Sequence, residues 1–152
     1  MSNKSWGPII WVFLHTLAAK IENTEFKNNK DKLIEIIFKV CSNLPCPDCS
    51  SDSVNFLKTV NFKNVTKKED LIEILFVFHN QVNINLKKTE FPEKLLETYN
   101  NNNMKIVLNR FIEIFNKNTN NIRLMNQSFM RSIISKDIKN YIENNIHLFE
   151  NL

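Results

Sequence analysis

The chain has 152 residues, 43% of them hydrophobic, which is enough for one domain with a real core. One glycine and four prolines are too few for a turn-rich sheet protein and point to an all-α chain. The net charge of +4 is spread among acids along amphipathic stretches such as KNNKDKLIEIIFK, which argues for solvated helix faces and against a nucleic-acid partner.

In chain order, WGPIIWVFLHTLAA at residues 6–19 comes first. It is too short to span a bilayer and contains a proline, a histidine and both tryptophans. No cleaved signal peptide, no membrane partner and a soluble chain are therefore expected. Trp11, Leu14, His15 and Ala18 recur at helical spacing, so the segment reads as a buried helix from Gly7-Pro8 to about Ile21. The polar stretch ENTEFKNNKD separates it from a second helix, KLIEIIFKVCSNL, with Leu33, Ile36, Ile37, Val40 and Cys41 on one face. Pro45 stops that helix, and a third starts at Cys46-Pro47-Asp48-Cys49 and carries Val54, Phe56 and Leu57. Thr66-Lys67-Lys68-Glu69 reads as a capping box that opens a fourth helix to about Lys88.

Pro92 marks a break. Beyond it the chain is rich in asparagine, with four in a row at 100–103. Apolar stripes persist at Ile106, Val107, Phe111, Ile114 and Phe115, then at Phe129, Ile133, Ile134, Ile138, Tyr141 and Ile142. The expected organisation is a core over residues 1–91 and a helical extension over 92–152, packed on the core or on a partner.

The cysteine pair admits three readings. Cys41, Cys46 and Cys49 with one histidine would make a Cys₃His zinc site in a non-enzymatic interaction module, although the second paired knuckle is missing. As small hydrophobes the cysteines would only pack the core, and Cys41 falls on an apolar face that suits this role. As a redox pair, Cys46 at a helix N-terminus and Cys49 one turn in would lie near unpaired N–H groups and the positive dipole end. That placement lowers thiolate pKa values and makes exchange feasible.

Two histidine segments bear on the choice. Trp11 and His15 share one helix face, and His79 and Asn83 share another in HNQVNINLKK. Aromatic rings with imidazole and amide groups beside them suit a flat cofactor with polar edges. WGPIIWVFLHTLA, LPCPDC and HNQVNINLKK, in that order, resemble the Erv/ALR family of FAD-linked sulfhydryl oxidases. The three blocks span residues 6–91, about three fifths of the chain.

The resemblance implies a four-helix bundle with FAD at its mouth. It also implies disulfide formation in client proteins, with electrons passing through the Cys46–Cys49 disulfide and FAD to dioxygen to give hydrogen peroxide. On it, Cys46 is the cysteine attacked by substrate and Cys49 lies against the flavin. Gly7, Trp11, His15, His79, Asn80, Val82, Asn83, Leu86, Lys87, Lys88 and Phe91 become cofactor-binding residues. A homodimer is implied as well.

The family pattern is not met everywhere. Pro8 stands where an arginine is common, and Phe76 and Pro92-Glu93 stand where a structural disulfide is expected. No second cysteine pair is present to act as a shuttle, so clients or a small thioredoxin-like carrier must reach Cys46 directly. This short layout resembles viral members, for which host cytoplasm and virion are the expected locations.

Overall fold

The computed structural model describes residues 6–117 and 125–149. Residues 118–124 and 150–152 of the expected extension lie outside the described residues. Six α-helices follow one another: α1 Gly7–Lys20, α2 Phe26–Ser42, α3 Pro47–Lys58, α4 Lys68–Asn85, α5 Met104–Phe115 and α6 Met125–Asn144. A nine-residue 3₁₀ stretch, Glu93–Asn101, links α4 to α5. No strand occurs among the described residues, and the all-α expectation holds.

α1 is apolar on almost every side, and the other elements close around it. Pro8 sits in its first turn, where the missing N–H is harmless. At its far end Lys68 Nζ donates to the carbonyls of Ala19 and Ile21, each at 3.0 Å. A lysine there satisfies helix-end carbonyls and complements the negative end of the dipole. α4 and α5 flank α1, while α2 pairs with α3 and α6.

α2 begins earlier than its hydrophobic pattern suggests. Phe26 opens the helix and is 1% exposed, so one anchoring ring outweighs the weak helix propensity of the asparagines behind it. The start of α4 also differs from the expected box by one residue. Asp70, not Glu69, closes the cap: its Oδ2 accepts from the N–H groups of Thr66 and Lys67 and from the Thr66 hydroxyl. The helix ends at Asn85 rather than Lys88.

The extension shares the core of the first four helices. Met104, Leu108, Phe111 and Phe115 on α5 and Ile138 and Ile142 on α6 belong to the same buried cluster as Phe13, Leu17 and Leu33. Phe13 and Phe111 stack with centroids 4.0 Å apart. Truncating either ring would cost about 3–5 kcal/mol, a large part of a domain's stability. Three predicted stripe positions point outward instead: Ile106 is 59% exposed, Phe129 68% and Ile133 49%.

α6 runs antiparallel along α2. Tyr141 meets Asn29 at 2.7 Å, Asp137 meets Lys32 at 3.1 Å, and Arg131 reaches the Asn43 carbonyl at 3.5 Å. The N-terminal half of α6 therefore lies at the same end of the bundle as the cysteine motif. No described helix is long and apolar enough to cross a membrane.

Candidate redox and cofactor site

Cys46 is the N-cap of α3, with extended backbone, and Pro47 follows as the first helical residue. The Cys46 sulfur accepts the Cys49 N–H at 3.2 Å, the capping interaction otherwise made by Ser or Asp. Ser50 locks the approach. Its hydroxyl accepts the Leu44 N–H at 2.8 Å, and its own N–H bonds the Cys46 carbonyl at 3.0 Å. Pro47 and Asp48 are exposed, and both cysteines of the pair are half-buried.

The expected lowering of the thiolate pKa is not found at Cys49. Burial pushes that thiol up to about 12, helped by the neighbouring Cys46 and by the carboxylates of Asp52 and Asp48. Desolvation and like charge outweigh the helix terminus there. Cys41 is buried and is also pushed up to about 12, by burial alone. That fits the packing role expected of it.

Cys49 opens onto a narrow apolar slot of about 70 Å³ between α1, α3 and α4, walled by Trp11, Phe78, Val82 and Leu86. Cys41 lines the same slot from α2. On the other side of Trp11 lies a wider cavity of about 600 Å³, reached by His79, Asn83, Lys87, Lys88 and Tyr99. Gly7 and Trp11 belong to both walls. A Cβ at position 7 would intrude where helix and cavity meet, which gives the chain's one glycine a steric reason.

Trp11 stacks on His79 with centroids 4.1 Å apart and planes 7° apart. His15 Nε2 and His79 Nδ1 are 2.9 Å apart and buried, so one ring donates and the other accepts. That bond requires the accepting ring nitrogen to be unprotonated. Burial, and then the His79 charge, lowers His15 to about 3; burial, and then the Lys88 charge, lowers His79 to about 4. Phe91 and Tyr99 stack on His15, and Phe91 also stacks on His79.

The rest of the histidine block is divided between cavity and support. Asn80 lines neither cavity: its Oδ1 accepts the Phe91 N–H at 2.7 Å and its Nδ2 donates to the Phe91 carbonyl at 3.2 Å. Asn80, Phe91 and His15 thus hold the aromatic wall rather than line it. At the end of α4, Lys88 N–H bonds the Asn83 carbonyl and Lys87 N–H bonds the Ile84 carbonyl. This is a Schellman stop, and its left-handed position is Lys87, with φ of 56°.

Tyr99 is a wall residue that sequence reasoning missed, because it lies in the asparagine-rich stretch away from every motif. Asp52 and Ser53, also missed, line the slot beside Cys49. The Cys₃His zinc alternative finds no support. Among the described residues no group of three or more His, Cys, Asp or Glu is placed to hold a metal, and His15 and His79 are bonded to each other.

A cysteine pair at a helix start, one member lining an aromatic slot inside a helical bundle, has the layout of an all-α thiol-redox protein. The chain belongs to the Erv1/Alr family, whose model matches residues 8–104. It is similar to a protein of African swine fever virus (isolate Tick/Malawi/Lil 20-1/1983) named FAD-linked sulfhydryl oxidase. They are 34% identical over 83 residues, covering 55% of this chain and 69% of the relative. It is also similar to FAD-linked sulfhydryl oxidase ERV1 of Arabidopsis thaliana, 29% identical over 100 residues, which are 60% of this chain and 52% of the plant protein. A protein of Invertebrate iridescent virus 3 is 26% identical over 92 residues, with 60% and 62% covered. No solved structure matches the chain.

Of the two places where the family resemblance expects a structural disulfide, one is Phe76, which meets Phe91, the residue before Pro92, with ring centroids 6.2 Å apart. Together with the two Asn80 hydrogen bonds, this contact ties the segment after α4 back onto the helix.

Proposed function

We propose that the chain is an FAD-linked sulfhydryl oxidase that makes disulfides in reduced client proteins. The observation that carries this is the position of Cys49. It lines the apolar slot that shares Gly7 and Trp11 with the wide cavity, whose lining includes Lys87 and Lys88.

The cavities suit a dinucleotide that has one flat tricyclic end and one adenosine end. The slot is apolar and flanked by rings, which suits a planar ring system chemically, and from about 70 Å³ it would have to widen to admit one. The wide cavity combines the aromatic wall of Trp11, His79 and Tyr99 with two lysines that match the phosphate charges. Trp11, Val82 and Leu86 would hold the flavin ring, His79 and Asn83 the adenosine, and Lys87 and Lys88 the phosphates. His15, Asn80 and Phe91 would keep those groups in place. When bound, FAD supplies the two-electron acceptor and the route from there to dioxygen and hydrogen peroxide.

The chain's own work is thiol exchange. A client thiolate attacks Cys46 of the Cys46–Cys49 disulfide, forming a mixed disulfide and expelling Cys49 as thiolate. The client's second thiolate then attacks its own mixed-disulfide sulfur, releasing the oxidised client and the Cys46 thiol. Two client thiols lose two electrons and two protons, and the pair gains them. Cys46 suits the first role because it caps the helix outside the slot, and Cys49 suits the second because it lines it. Burial disfavours a free Cys49 thiolate, so its expulsion is helped only where an electron-poor partner faces it.

The helices up to α4 supply these groups, while α5 packs on α1, α6 packs on α2, and the Glu93–Asn101 stretch contributes Tyr99. The expected partners are reduced proteins, or a small thiol carrier that brings a dithiol to Cys46. Purified protein should be yellow with flavin absorbance and should consume oxygen when given dithiothreitol. A colourless protein with stoichiometric zinc would overturn the reading.

A further inference from the structure

α6 sends one arginine inward. Arg131 is 2% exposed, and no carboxylate pairs with it among the described residues. Its Nη2 donates to Ser128 Oγ at 3.0 Å, its Nη1 reaches the Asn43 carbonyl only at 3.5 Å, and its Nε is buried with no partner. One turn further on the same face, the Ser135 hydroxyl is also buried with no partner. A buried charge this poorly matched is a net liability for folding, and apolar replacements at such sites are often neutral or stabilising.

Its location gives it another use. Asn43 lies three residues before Cys46, a span of at most about 10 Å. The same turn is held from α3 by Ser50, which accepts the Leu44 N–H and donates to the Cys46 carbonyl. Arg131 contacts the same turn from α6, and it comes from the extension.

The geometry points to Arg131 as a positioning residue for the redox pair: from α6 it holds the Asn43 carbonyl and brings an unbalanced positive charge to the turn carrying Cys46. This rests on the redox reading of Cys46 and Cys49. When the pair is opened, negative charge develops on sulfur, and a nearby guanidinium favours that state over the disulfide. Asp48 and Asp52 on α3 press the other way, as they do at Cys49. The residues after 91 would then act on the potential of the site as well as on the stability of the fold.

The test uses the full chain with FAD bound, held without oxygen in glutathione buffers. There two glutathiones and the Cys46–Cys49 disulfide exchange with oxidised glutathione and two protein thiols. Alkylation and mass measurement read the ratio at half-reduction. Arg131→Met and Arg131→Gln should each shift that ratio about fivefold toward the disulfide. Both should melt at or above the wild-type temperature, and Arg131→Lys should recover at least half of the shift. Should Arg131→Met fold badly, Arg131→Gln decides alone.

Neutral variants that titrate with the wild type overturn the inference. So does a shift that Arg131→Lys leaves uncorrected while all variants lose stability together, since that describes a strut. A wild-type pair that never exchanges with glutathione would instead sink the redox reading on which this one depends.

Discussion

Lys87 should pull fold stability and cofactor affinity in opposite directions. It occupies the left-handed position of the α4 stop with φ of 56°, and it lines the wide cavity. A side chain in that region costs about 1–2 kcal/mol, and glycine avoids the clash while losing about 0.5–1 kcal/mol of chain entropy. Lys87→Gly should therefore raise FAD-free stability by about 0.5–1 kcal/mol, or a melting shift of about 1–4 °C. The same change removes one of two lysines facing the phosphates. An exposed charge-assisted contact of this kind is worth about three- to tenfold in affinity after allowance for solvent screening. FAD should bind about that much more weakly, and its affinity should depend less steeply on salt. Melting curves with and without added FAD, together with a flavin-fluorescence titration at two salt concentrations, measure both effects. A lower melting point for the FAD-free variant would refute the strain argument, and an unchanged affinity would refute the phosphate argument.

Cys46→Ser should keep its flavin and lose thiol-dependent oxygen uptake; an oxygen electrode decides, and retained turnover would transfer the entry role to another residue. Trp11→Ala removes the wall shared by slot and cavity, so the protein should purify nearly colourless while its far-ultraviolet helix signal survives. In the FAD-free chain, stability should be flat above pH 6.5 and fall below it. The unfolded histidines take up protons near 6.5, whereas folded His15 and His79 resist until about 3 and 4. Each ring should remove about 2 kcal/mol by pH 5, and urea unfolding at pH 7 and pH 5 would expose a missing slope. Asn80→Asp keeps the acceptor for the Phe91 N–H but loses the donor to its carbonyl. It should cost about 1–3 kcal/mol and loosen Phe91, visible as faster hydrogen exchange after α4.

Much of the site could be read from local chemistry. The caps at Cys46 and near Thr66 depend on neighbours three or four residues away, and a chain written in order displays them. The Thr66 box was off by one because two acids stand side by side, and only the backbone register chose Asp70 over Glu69. The Trp11–His15 and His79–Asn83 pairs were visible because helical spacing alone puts them on shared faces. Whether a group on such a face lines a cavity or braces one was not visible. Asn80 and Asn83 are alike in sequence, yet Asn80 clamps the Phe91 backbone and Asn83 reaches the cavity.

Apolar periodicity, scarce glycine and the spacing of the cysteines determined an all-helical chain with a cysteine pair at a helix start, because these are properties of one helix at a time. Only the folded molecule decided that α5 and α6 share the core, that Tyr99 joins the aromatic wall, and that Arg131 reaches the cysteine turn. It also decided that Cys49 is raised rather than lowered in pKa. Each of these depends on which surfaces exclude water from one another. Desolvation and packing between segments up to about a hundred residues apart leave no trace in local pattern.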